Sequence, residues 1–235
     1  VEVATYHTIT SEAADSWAIP ASVTSSDATV DTGKSAVDTA LTPAPAVVDP
    51  VTKTLTTGVN NFTGTSANDT FDGSTAGSLD TSDTLDGGAG TDNLTATLGA
   101  ESIRPNISNI EHITFTATGA LTVDARDISG MTQLSNESST NTLTVNNLGV
   151  IPAVSINSAG TNNTTLNFTN ATLSGSADDL AVTVNNYGAA DLILTDTAGT
   201  AKLETVTITS QSLASTITNL NTAGVGTTTL NIGGD

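Results

Sequence analysis

From residue 113 onward the chain alternates apolar and polar residues in short runs. They are ALTVDA (120–125), TLTVNN (142–147), AVSINS (153–158), TTLNFT (164–169), LAVTVNN (180–186), DLILTD (191–196), ETVTITS (204–210), STITNL (215–220) and TTTLNI (227–232). A period of two puts every second side chain on one face, so each run predicts a short strand with one side buried. Gly, Asn, Asp and Ser fill the connectors, as turns require. The hexamer TVNNLG at 144–149 returns as TVNNYG at 183–188. Strand centres Val123, Val145, Phe168, Leu194 and Ile217 form one series, and Ile156, Val184, Ile208 and Ile232 a second. Both advance by about 24 residues, the repeat of a β-solenoid whose coils each hold two or three strands. An immunoglobulin-like sandwich is the competing arrangement, but it wants a larger aromatic core.

Upstream the pattern changes twice. Residues 58–99 form a block rich in Gly and Asp, and 100–235 carry the strand repeats. Residues 1–57 keep no period and are broken by Pro20, Pro43, Pro45 and Pro50, which predicts an extended N-terminal arm or linker. Trp17 and Ile19 are its candidate anchors. The chain opens Val-Glu-Val, which reads as a processed or excised piece of something longer.

Composition sharpens this picture. Aromatic residues make up 3% of the chain and threonine about a fifth, which suits thin layers of short strands. There is no cysteine, so disulfides, zinc-thiolate sites and thiol nucleophiles are excluded. No apolar run approaches the length of a membrane-spanning helix. The formal charge of −19 makes nucleic acid and anionic membranes poor partners and divalent cations good ones. Two carboxylates about 5 Å apart repel by roughly 3 kcal/mol at an effective dielectric near 20.

The candidate chemistry lies at 87–95, GGAGTDNLT, which fits the nonapeptide G-G-x-G-x-D-x-U-x. Glycines let the backbone turn its carbonyls inward, the Asp supplies a carboxylate, and the apolar residue plugs the core. Stacked turns of this kind can surround Ca2+ with oxygen. GTSANDTFDG (64–73) has the same rhythm around Asp69, Phe71 and Asp72, and LDTSDTLDGG (79–88) adds Asp80, Asp83, Leu85 and Asp86. The alternative is that the glycines only form tight turns. Other loops fail on residues. A Walker A loop needs a lysine, and the nearest are Lys53 and Lys202. An EF-hand starting at Asp80 would meet Leu85 and Thr91 where it needs Gly and Glu.

GTSANDTFDG and SDTLDGGAGTDNL, followed by ISNIEHITFTATGALTVDARDISGMTQL, resemble the RTX-related surface-layer proteins of Gram-negative bacteria. The resemblance covers about residues 55–235. It implies an all-β fold: a calcium-bound right-handed parallel β-solenoid led by an RTX-like block. It implies calcium ligation by Asp69, Asp72, Asp83, Asp86 and Asp92, with carbonyls near Gly88 and Gly90, and Asp80 joins them as a neighbouring acid. It further implies type I secretion, an extracellular place on the cell surface, and self-association into a lattice. Contact with cell-surface polysaccharide or lipopolysaccharide would fall to regions outside this chain. The chain departs from the family in holding one full nonapeptide rather than an array. A calcium-rigidified adhesin and the calcium-binding tail of a secreted enzyme are the alternatives.

Catalysis is not expected. His7 and His112 lie far apart, neither sits in HExxH, and there is no GxSxG elbow. Arg104 and Arg126 are the only arginines, too few for a lyase acting on uronates. Asp124 and Asp127 flank Arg126 and read as a salt bridge or solvated turn. Asp178, Asp179, Asp191 and Asp196 read as a solvated edge.

Overall fold

The computed structural model describes residues 48–197, 202–222 and 224–234. The arm expected over 1–57 lies, through residue 47, outside the described residues, together with Trp17, Ile19 and His7. Among the described residues there are seventeen strands, numbered β1–β17 along the chain, and every pairing between them is parallel. The odd-numbered strands make one nine-stranded sheet: β1 (Thr52–Thr54), β3 (Thr70–Gly73), β5 (Asn93–Leu98), β7 (His112–Ala117), β9 (Gln133–Glu137), β11 (Ala153–Gly160), β13 (Asp179–Tyr187), β15 (Thr205–Ser210) and β17 (Thr229–Gly234). Opposite it, β2 (Asn61–Thr63), β4 (Thr84–Asp86) and β6 (Asn106–Ser108) form a three-stranded sheet. Strands β8 (Leu121–Asp124), β10 (Leu143–Leu148), β12 (Thr164–Phe168), β14 (Ala190–Asp196) and β16 (Ile217–Asn221) form a five-stranded one. Bridges Ile103↔Val123 and Ile107↔Ile128 link these two sheets. Parallel neighbours need a crossover, and here each crossover is a strand on the opposite face. The fold is therefore a parallel β-solenoid.

The strands expected from 120 to 232 all form. Three more strands beyond residue 100 lie outside the alternating runs: β6, and the pair β7 and β9 that carries the nine-stranded sheet through the junction. Residues just ahead of the 58–99 block also contribute, because β1 pairs with β3 through Thr52↔Thr70. The boundary expected at 57/58 thus falls inside the first coil. Coil length varies: Asn93 lies opposite His112, and Val154 opposite Val182. Of the two centre series, Val123↔Val145, Ile156↔Val184 and Ile208↔Ile232 are true partners. Leu166, not Phe168, faces Val145 and Leu194.

Inside, one column of apolar side chains runs Phe71, Leu94, Ile113, Leu134, Val154, Val182, Ile208, Ile232 through consecutive partners. All but the last are buried. Each such burial contributes about 1.5–3 kcal/mol, so stability grows coil by coil. In the adjacent inner column Asn136 stands between Phe115 and Ile156. Its amide donates to Thr164 Oγ1 at 2.8 Å and accepts from Ser139 Oγ, and all three residues are buried. A buried amide is tolerated when its polar atoms are paired in this way.

The repeated hexamer has a local reason. Asn147 and Asn186, its second asparagines, adopt φ of 57° and 51°, a left-handed conformation that asparagine tolerates better than most residues. Asn147 sits where the β10–β12 register breaks, between Val145 and Leu148. Two stacked asparagines, Asn157 and Asn185, form an amide ladder. Asn185 Nδ2 donates to Asn157 Oδ1 at 2.9 Å, and Asn157 Nδ2 to the Glu137 carboxylate at 2.8 Å. No helix among the described residues is long and apolar enough to cross a membrane.

Candidate metal centre

Two columns of turns connect the nine-stranded and three-stranded sheets. One leads into β3, β5 and β7 through residues 64–69, 87–92 and 109–111. The other leads into β2, β4 and β6 through 55–60, 74–83 and 99–105. The structure divides the predicted site residues between them. Asp69, Gly88, Gly90 and Asp92 lie on the first column, with Asp86 ending β4 just before it, and Asp80 and Asp83 lie on the second, with Asp72 in β3 just before it. Among the described residues no three acidic or histidine side chains converge on one point.

In the first column the acids stack in equivalent places, just before each strand. Val51 N–H donates to Asp69 Oδ1 at 2.7 Å. Asp69 N–H donates to Asp92 Oδ1 at 2.6 Å, and Asp92 N–H to Glu111 Oε2 at 2.8 Å. Each carboxylate thus ties its coil to the preceding one. Asp69 is fully employed, since its second oxygen accepts the Thr65 N–H and its first also accepts the Thr65 hydroxyl. Burial alone would raise its pKa, but the Val51 and Thr65 donors outweigh that and hold it below the usual carboxylate range.

Asp92 lacks both bonds that Thr65 gives Asp69, one from its N–H and one from its hydroxyl. Gly88, which occupies the place of Thr65, donates its N–H to Asp86 Oδ1 at 3.1 Å instead. Asp92 Oδ2 is consequently buried with no hydrogen-bond partner. Burial raises the pKa of Asp92, and the charges of Asp69, Glu111 and Asp86 add to the shift. Gly87 faces this oxygen: a Cβ there would come within 2.5 Å of Asp92 Oδ2 and run into the Asn109 carbonyl oxygen. Only glycine leaves that space open. Gly88 and Gly90 take φ of 94° and 126°, conformations that L side chains rarely adopt.

The second column is built from hydrogen bonds within the chain. Asp83 is buried; its Oδ1 accepts from Asn60 N–H and Nδ2 at 2.8 and 3.0 Å, and its Oδ2 from Asp80 N–H at 2.8 Å. Asp80 Oδ1 accepts from Ser82 N–H at 2.6 Å, a local turn. Asp72 Oδ1 accepts from Ser74 N–H at 3.0 Å, and Ser74, through its hydroxyl and its N–H, lowers the Asp72 pKa.

Calcium takes six or more oxygen ligands and no nitrogen donor. Asp92 Oδ2 meets part of that demand, as an unpaired buried carboxylate oxygen with the Asn109 carbonyl against the same Gly87 α-carbon, whereas Asp86 Oδ1 already accepts from Gly88 N–H and Asn109 Nδ2, and Glu111 Oε2 from Asp92 N–H. The carboxylates of Asp69 and Asp83 do not fit, because their oxygens are occupied by N–H donors. Sequence reasoning passes over Glu111 and Asn109. Glu111 carries a signal, an acid followed by one polar residue and then a buried apolar one. Asp69-Thr70-Phe71, Asp92-Asn93-Leu94 and Glu111-His112-Ile113 share it.

Elsewhere, Asp124 pairs with Arg126 at 3.2 Å as expected, whereas Asp127 pairs with Arg104 at 2.6 Å. Asp178 is more than a solvated edge residue. It donates its N–H to Glu204 Oε2 at 2.9 Å, repeating the coil-to-coil bond of the first column. Set against known proteins, the chain matches no family model, no curated protein and no solved structure.

Proposed function

We propose that the chain is a structural, non-enzymatic subunit of a bacterial surface layer, exported by type I secretion, that folds and assembles on the cell surface with Ca2+. The observation that carries this reading is the buried, unpaired Asp92 oxygen inside a column of stacked acids. Such a group disfavours the folded state at neutral pH unless a cation or proton reaches it. Where free calcium is scarce, the fold is weakened and the chain stays competent for export. Where calcium is abundant, a hundredfold excess over Kd stabilises each site by about 2.7 kcal/mol. Asp92 Oδ2 and the Asn109 carbonyl would face the ion, which supplies positive charge between the second and third turns of the column.

Titrating calcium into the purified chain, with light scattering and electron microscopy as readouts, tests the reading. Ordered sheets that dissolve in chelator are the expected result. Calcium-bound rods that remain monodisperse would instead favour a stalk or adhesin.

A further inference from the structure

The outward faces of the three sheets differ in charge. Asp124 and Asp191 stand on outward positions of the five-stranded sheet, and Asp86 on one of the three-stranded sheet. On the nine-stranded sheet the middle outward column runs Thr95, Thr114, Ser135, Ser155, Thr183, Thr209 through consecutive partners, from β5 to β15. None of the six is buried. The outward column beside it, from Asn93 on β5 to Thr207 on β15, holds no Asp, Glu, Lys or Arg either. Acids of these strands stand at the edges of that area. Asp72 lies one strand before it, and Glu137 and Asp179 lie one column to either side.

The hydroxyls of the middle column are largely unused. Among the described residues, Ser135 Oγ accepts from Gln133 Nε2 at 3.4 Å, and the other five hydroxyls have no hydrogen-bond partner. A hydroxyl both donates and accepts, so a face of hydroxyls pairs with a copy of itself, as a face of carboxylates cannot. In a chain of charge −19, this is an area where two copies meet without bringing acids together. Six strands about 4.8 Å apart, with three outward columns about 6.6 Å apart, measure roughly 29 by 20 Å. Covering that area on two copies removes on the order of 1,100 Å2 from water. A specific contact needs about 1,000 Å2.

We propose that two copies pack face to face through the outward side of the nine-stranded sheet, about a twofold axis with Ser135 and Ser155 nearest to it. An isologous contact of this kind is the commonest in homo-oligomers. Asp72, Glu137 and Asp179 then lie at the margin of the contact, where water still reaches them. Hydroxyl contacts are individually weak, so repetition in an assembly strengthens them. The contact supplies one interface for the assembly proposed above, and rests on that reading only for its biological setting.

The test uses the whole chain with calcium, in sedimentation velocity over a series of concentrations. The parent is expected to dimerise. Ser155→Lys and Ser155→Glu are each expected to weaken dimerisation by at least ~10-fold, because either one buries like charges against each other across the axis. Thr144→Lys puts the same charge on the outward side of the five-stranded sheet and should leave dimerisation unchanged. Far-UV circular dichroism checks that the variants fold. Because the chain lacks cysteine, Ser155→Cys gives a second readout, an oxidised covalent dimer that Thr144→Cys does not form. A parent that stays monomeric up to its solubility limit overturns the proposal, as does equal weakening by Thr144→Lys. A monomeric parent held by immobilised dextran, and released by Ser155→Lys, would give the face to sugar hydroxyls instead. Ordered sheets from Ser155→Lys would keep the surface-layer reading and remove this interface. Dimers that never form sheets would do the reverse.

Discussion

Asp69 and Asp92 occupy the same step of adjacent turns yet titrate in opposite directions: Thr65 donates both its N–H and its hydroxyl to Asp69, while Gly88 donates to neither oxygen of Asp92 and three neighbouring acids add their charge there. The lowered pKa of Asp69 contributes stability above the unfolded value near 3.9, which is lost as pH falls through the folded value. The raised pKa of Asp92 works the other way. Its contribution is present below about 3.9 and is lost as pH rises through the folded value. In chelator, Asp92→Asn should therefore melt higher than the parent at pH 7 and no higher at pH 3, and it should lose the calcium-induced rise. Asp69→Asn should lower the melting temperature at pH 7 and differ least from the parent at low pH. Thermal melts across pH, with and without calcium, check both. Gly87→Ala gives a steric control: a methyl group aimed at the Asn109 carbonyl should destabilise the fold whether or not calcium is present. Sequence spacing singles out Asp92 and its glycines, because the nonapeptide is local. One sequence difference does separate Asp92 from Asp69, since Gly88 stands where Thr65 offers a hydroxyl, but where the backbone N–H of residue 65 or 88 points depends on the fold.

Each coil owes its place to two kinds of contact, stacked apolar plugs and acids that capture the N–H of the neighbouring turn. Leu94→Ala should cost about 2–5 kcal/mol in urea unfolding, as a fully buried plug with Phe71 and Ile113 on either side. Glu111→Ala removes the acceptor of the Asp92 N–H and should destabilise by about 1–3 kcal/mol, with Glu111→Gln recovering part of the loss. The same measurement, with the variants compared side by side, decides whether these acids are structural. Alternation over five or more residues marks most strand positions, and β7 (HITFTA) alternates too although it lies outside the runs read as strands. β9 stays hidden because Asn136 puts a polar residue on the inner face, which breaks the alternation. β1, β2 and β4 span three residues each, too short to show a period. Partner registers slip by two in places, since inner residues two apart on a strand are equivalent by pattern. Only turn length, which varies from coil to coil, selects between them.

As a stack in which each coil touches chiefly its neighbours, the molecule should open from its ends rather than all at once. Hydrogen exchange on this chain should show amides of β17 and β16 exchanging fastest and those of β7, β9 and β11 slowest. Uniform protection from β3 to β17 would contradict this. The acidic composition signals a need for cations but not their number, because hydrogen bonds satisfy the carboxylates of Asp69 and Asp83 while leaving one oxygen of Asp92 bare. The buried Asn136–Thr164–Ser139 group has a consequence for how such a stack is threaded. Apolar plugs are interchangeable between storeys, so a strand arriving one storey too high or too low meets almost the same surroundings. An amide that finds its mates at one level only, and is stranded at a cost of about 1–3 kcal/mol anywhere else, gives the growing column an index mark. Storeys added or lost during evolution could then accumulate above or below that mark, with the pairing at the mark itself kept fixed.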